Sequence, residues 1–183
     1  MKKFYKPIIL SITIVVFAIS LFSFKAGKKK DHKTNSSYAI TLLNVQVVGT
    51  NQVWTWSLNN PNPGNGSNGT LQDVSHWDFP LCALAESALV SAEYSLDGTN
   101  WVSNTIEMDR DPSIRLCTTT DVLKFNVGTI GTSTNYYRVT FNKQFLVNPF
   151  ATSWIKTGGG LKGCNLYFYA GVGCEIVPGT RND

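Results

Sequence analysis

His76 and Asp78 are separated by one residue in the stretch LQDVSHWDFPLC, residues 71–82. In an extended chain that spacing sends both side chains to one face. A histidine beside a carboxylate is part of a nucleophilic relay, and it is also a pair that can contact a ligand. Ser75 adjoins His76 but points to the other face, so it cannot complete a relay. His76 and Asp78 are therefore candidate ligand contacts at the surface, against the plainer reading of an incidental polar pair.

A second cluster is Glu107, Asp109 and Asp111, spaced E-x-D-x-D. Carboxylates so close could share a calcium ion, which takes six to eight oxygens. Two such groups could also support glycoside hydrolysis, the separation fixing the outcome. Arg110 sits among them and competes for their oxygens. The twelve-residue calcium loop is not matched. These three are the candidate metal ligands, and calcium is the one cofactor considered.

Aromatic side chains supply a third candidate. If Ser153 and Ile155 face the core, Trp154 faces out with Thr152 and Lys156. If Leu166 and Phe168 face in, Tyr167 and Tyr169 face out, and Tyr136 could join them. Such a row can stack on sugar rings with little loss of conformational freedom. The plainer reading is that a loop or second sheet covers them.

The four cysteines are Cys82, Cys117, Cys164 and Cys174. None forms a Cys-x-x-Cys pair or has a histidine nearby, so a thiolate zinc site is not expected. An even count in an exported chain reads as disulfides. Of three pairings, Cys82–Cys117 and Cys164–Cys174 close the most modest loops and are favoured. Each would add about 2–4 kcal/mol.

The elements that must position these residues are strands. Alternation of apolar and polar side chains runs through most of the chain beyond residue 38. It places Leu43, Val45 and Val47 on one face, then Trp54, Trp56 and Leu58, then Trp77 and Phe79. Val90, Ala92, Tyr94 and Leu96 follow, then Leu123, Phe125 and Val127, then Tyr137, Val139 and Phe141. ALAESALV, residues 83–90, reads as one short helix. Asp97-Gly98 between two alternating runs marks a hairpin. Strands at this spacing, with turn residues between them, predict an all-β, two-sheet antiparallel sandwich of immunoglobulin-like or jelly-roll topology.

The N-terminus is of another kind. Three lysines among the first six residues precede an uncharged apolar run over residues 7–24. That is the plan of a secretory signal, and the run is also near the length of an uncleaved membrane anchor. The expected organisation is a signal peptide or N-terminal anchor helix over 1–27 and a disordered linker over 28–37. The sandwich follows over 38–177, then a tail over 178–183. The chain carries 16 basic and 12 acidic residues. Residues 31–183 hold only nine of the basic ones and all 12 acidic ones, a net of three negative charges. Such a domain has no electrostatic footprint for nucleic acid. The membrane is expected to be met only through the N-terminal segment.

The hairpin YSLDGTNW, residues 94–101, resembles one found in secreted bacterial surface domains and in discoidin-like carbohydrate-binding sandwiches. It is also similar to the Asp-box hairpin of sialidase-type propellers, though one residue short of that spacing. The segment SHW…C, residues 75–82, resembles a feature of secreted surface proteins of the Bacteroidota kind. The resemblance implies an extracellular β-domain in which Asp97 and Gly98 shape the turn and Trp101 packs beneath it.

The expected function is non-catalytic: an exported sandwich serving cell-surface adhesion or glycan or matrix binding, with a surface glycan or protein as partner. A structural component assembling through its sheet edges is the alternative, and a secreted hydrolase the third reading.

Overall fold

The computed structural model describes residues 38–61, 73–115, 117–157 and 165–179. The apolar run over 7–24 and the linker over 28–37 lie outside them. Among the described residues no helix is long and apolar enough to cross a membrane.

Among the described residues ten strands form two antiparallel sheets of five. The first sheet has the order β1 (Ala39–Val48), β2 (Asn51–Asn59), β8 (Thr134–Phe141), β4 (Leu89–Ser95), β5 (Val102–Asn104). The second has the order β10 (Asn165–Ile176), β9 (Phe145–Thr157), β3 (Val74–Phe79), β7 (Val122–Phe125), β6 (Met108–Asp109). The two-sheet antiparallel sandwich expected from the alternation is the fold observed. The helix is shorter than predicted: α1 covers Ala83–Ser87, and the chain enters β4 at Leu89.

The inner faces meet in an aromatic core. Trp54, Trp56 and Leu58 come from β2, Tyr137, Val139 and Phe141 from β8, Trp77 and Phe79 from β3, and Phe125 from β7. Trp77 stands centrally, with ring centroids 4.8 Å from Phe79, 5.1 Å from Tyr137 and 5.9 Å from Trp56. Two polar edges inside this core find partners, while the Trp77 indole N–H has no hydrogen-bond partner. The Trp56 indole donates to the Ala170 carbonyl at 2.8 Å, and the Tyr137 hydroxyl donates to the Val127 carbonyl at 2.8 Å. Large aromatic groups of this kind bury area with few rotatable bonds, so they dominate the packing energy.

Where the alternation fails, it fails at bulges. Register shifts occur between Leu42 and Asn44, between Val74 and His76, and between Leu89 and Ser91. The skipped residues are Leu43, Ser75 and Val90, and all three are exposed. A bulge inserts one residue into one strand of a pair and reverses the facing of what precedes it. Ile40 and Leu42 therefore pack on the core, where the period had placed Leu43. Val74 likewise joins the core, while His76 and Asp78 keep the outer face.

Candidate functional site

The site lies on the outer face of the second sheet, away from the aromatic core. Asp78 of β3 pairs with Lys124 of β7 on one side and Trp154 of β9 on the other. His76, further along β3, pairs with Lys156. The start of β3 is held by a close approach: the Val74 amide donates to the Thr129 carbonyl at 2.9 Å. A Cβ at the neighbouring Gly128 would stand 1.8 Å from the Val74 carbonyl oxygen, so only glycine fits there.

This face is not open to solvent. Asp111, Ser113 and Ile114, on the connection between β6 and β7, fold back over it. Asp111 begins a turn: its Oδ1 accepts from the Ser113 amide at 2.8 Å, and the Ile114 amide donates to its carbonyl at 3.1 Å. Ile114 then seals against Val122 and Trp154 as a small second core. Trp154 is left 9% exposed.

Under that cover the polar groups converge on a single atom. His76 Nε2 is 2.9 Å from Asp111 Oδ2, 3.3 Å from Asp78 Oδ2 and 3.0 Å from Ser113 Oγ. The Lys124 ammonium forms an ion pair with Asp111 Oδ2 at 3.0 Å. Asp78 is wholly buried, and neither of its carboxylate oxygens has a hydrogen bond of good geometry. The two carboxyls are therefore held differently. Burial pushes the Asp78 pKa above its ordinary value, against the His76 contact that lowers it. Burial also pushes Asp111 up, but the Ser113 and Lys124 hydrogen bonds and nearby His76 outweigh it and leave the group below its ordinary value.

This geometry does not make a catalytic relay. A relay needs the serine on one imidazole nitrogen and the carboxylate on the other. Here serine and both carboxylates crowd the same nitrogen. His76 Nε2 and one oxygen from each of Asp78 and Asp111 lie within 4.8 Å of one another, an arrangement that can hold a metal ion.

The structure redistributes the residues singled out from sequence. His76 and Asp78 were expected at the surface and are buried. Asp111 joins them, separated from its expected companions. Asp109 is exposed and its Oδ1 accepts from the Arg110 amide at 2.6 Å, and Glu107 is exposed outside the cluster. The calcium trio is thus not assembled. Ser113 and Lys124 were not singled out. The one sequence-level clue to Lys124 is its place in LKF, beside the inward Leu123 and Phe125.

The expected aromatic row is also corrected. Trp154 faces away from the main core as foreseen but lies beneath Ile114. Tyr169 points into the core, and Tyr167 packs against it with its ring centroid 6.0 Å from that of Tyr38. Leu166 and Phe168 are the residues that face out. Tyr136 belongs to the other sheet, where its ring underlies the Gly98 turn.

The favoured disulfides are not formed. Cys82 and Cys174 are both free thiols, which excludes Cys82–Cys117 and Cys164–Cys174. Cys164 itself lies outside the described residues. Cys82, just before α1, hydrogen-bonds to Cys174 on β10, and this contact helps push the Cys174 thiol up to about 11.

Among the described residues nothing covers the outer face of β9 and β10 in this way. Phe150 is 75% exposed, Phe168 66% and Leu166 52%, with Leu146 and Val147 also exposed on β9. Phe168 pairs with Thr152 and Leu166 with Trp154, so Leu166 and Phe168 run beside the covered cluster.

Comparison with known proteins finds no matching protein family, no matching curated protein and no matching solved structure.

Proposed function

We propose that this chain is an exported, non-catalytic binding module that adheres to a protein surface through the outer face of β9 and β10. The observation that carries the reading is the bare row Phe150, Leu166 and Phe168. Large apolar side chains exposed together are unfavourable in water, and a contiguous patch marks an interaction site. The row has no exposed tryptophan or tyrosine to combine a ring face with a hydrogen-bonding tip, which favours a protein over a glycan. The covered serine, histidine and carboxylates favour a non-enzymatic role, since they converge on one nitrogen.

Export is supported by the basic and apolar N-terminal pattern and by the neighbouring thiols. In an oxidising compartment Cys82 and Cys174 would join by exchange with a disulfide-bearing oxidase. Both thiols would lose their protons, an S–S bond would form, and the oxidase disulfide would take up the two electrons. That bridge would tie the chain before α1 to β10.

The test is adhesion of the wild-type chain and of the Phe150→Ser/Phe168→Ser variant to surfaces coated with extracellular matrix proteins and to a glycan array. Loss of matrix-protein binding with an unchanged thermal melt supports the reading. Equal binding by both proteins overturns it, and binding confined to glycans replaces the protein partner with a sugar.

A second reading rests on topology. Among the described residues β10 is the outermost strand of its sheet and spans 12 residues, so a strand edge adjoins the exposed side chains. Edges of that length pair with other chains unless blocked. Self-assembly through β10 would appear as concentration-dependent oligomers in sedimentation, abolished by proline at an outward position of that strand.

A further inference from the structure

We propose that His76, Asp78 and Asp111 bind one divalent cation of the zinc class, which pins the turn over residues 111–114 onto the second sheet. The ligand atoms come from two remote parts of the chain, β3 and the turn after β6. They already stand close together, with His76 Nε2 at 2.9 and 3.3 Å from the two carboxylates. Ligands around a tetrahedral zinc at 2.0–2.1 Å are separated by about 3.3 Å, so only small shifts would admit the ion.

A second observation points to a cation independently of this clustering. Asp78 is fully buried, its Oδ1 has no hydrogen-bond partner and its Oδ2 has only the His76 contact at 3.3 Å. A buried carboxylate is costly unless it is paired or bound to a metal. Asp111 is prepared in the complementary way. Its Oδ1 is occupied by the Ser113 amide, which leaves Oδ2 aimed at His76. That is the outer support a ligating carboxylate usually has.

The donor set selects the ion. One imidazole nitrogen and two carboxylate oxygens suit zinc and similar first-row ions. Calcium and magnesium need more oxygens than converge here. Ser113 Oγ, 3.0 Å from His76 Nε2, or a water would complete the fourth position. Lys124 is the competitor, because its ammonium neutralises Asp111. Its side chain is 22% exposed, so the ammonium has a route to solvent when a cation takes its place.

The experiment uses the full chain, stripped with chelator and then equilibrated with zinc chloride. Metal content after gel filtration and the thermal midpoint are read together. The expected result is one zinc retained per chain and a raised midpoint, both kept in the Cys82→Ser/Cys174→Ser variant. Asp78→Asn, nearly the same shape, should fold and lose zinc affinity at least tenfold. Lys124→Met should bind more tightly, and it provides the answer if Asp78→Asn fails to fold. Cobalt(II) should give a tetrahedral visible spectrum without a thiolate charge-transfer band. No retained zinc in the wild-type chain overturns the proposal. So does zinc retention that survives Asp78→Asn, or a thiolate band with cobalt, or an unchanged affinity in Lys124→Met.

Discussion

The two halves of one sheet face are dressed in opposite ways. Over β3 and β7 the outer face carries a histidine, an aspartate and a lysine, and a turn that brings Asp111 covers them. Over β9 and β10 the same face carries phenylalanine and leucine, and nothing among the described residues covers them. Charge is inside and phenyl is outside. Each half taken alone runs against the ordinary partition of side chains. The difference teaches that the covering loop, more than the strands beneath it, decides which side chains meet water. Residues 110–121 reach Trp154, where Ile114 seats, and the exposed Leu166 lies just past that boundary as the cross-strand partner of Trp154.

The contrast is sharpest in paired truncations across that boundary. Trp154→Ala removes a ring buried under Ile114 and should cost about 3–5 kcal/mol in urea unfolding. Phe168→Ala, on the neighbouring strand, should stay within about 0.5 kcal/mol of the wild-type chain. Equal costs would show that the two halves are covered alike, and the comparison would fall.

His76→Leu probes the covered half from its charges. It leaves Asp78 and Asp111 facing each other with Lys124 as their compensation, and removing one partner of a buried charge group costs about 3–5 kcal/mol. Proteolysis within residues 110–121 should rise in step. If the unfolding midpoint does not move, the charges are not what holds the loop.

The oxidised Cys82–Cys174 bridge should stabilise the chain by about 2–4 kcal/mol over its reduced form. Peptide mapping, without reductant, of the protein produced in an oxidising compartment should recover those two cysteines in one linked species. Recovery of Cys82 linked to Cys117 would contradict the adjacency on which this rests.

The smallest effect belongs to the hairpin on the other sheet. Asp97 Oδ1 accepts from the Asn100 amide at 2.7 Å, the Thr99 amide at 2.8 Å and the Ser95 hydroxyl at 2.9 Å. The Asn100 and Thr99 amides, then the Asn100 and Ser95 side chains, hold its pKa well below the ordinary 3.8. A depressed folded pKa means the stabilisation is present above 3.8 and is lost as pH falls toward the folded value. Asp97→Asn should therefore show a weaker loss of stability on acidification below that pH. Identical acid limbs in both proteins would remove the carboxylate from the account.

Much of the layered architecture was legible because one buried face imposes a period of two. β2 and β8 obey it throughout, so Trp54, Trp56, Tyr137 and Val139 could be placed inward from spacing alone. The phase was lost where a strand bulges, at Leu43, Ser75 and Val90, since an inserted residue leaves no mark in composition. It was also lost on β10. There LYFY is apolar at every position, and nothing local chooses between Leu166 with Phe168 and Tyr167 with Tyr169.

By itself the sequence determined the class of the fold, the acidic character of residues 31–183 and the turn at Asp97. Each depends on neighbours within a few residues, and the chain's own stereochemistry decides them. Only the tertiary structure decided that His76 and Asp78 are covered, that Asp111 leaves its acidic neighbours to join them, and that Cys82 meets Cys174. Those contacts unite remote segments. They follow from how the sheets pack and where one loop folds back, which no local spacing encodes.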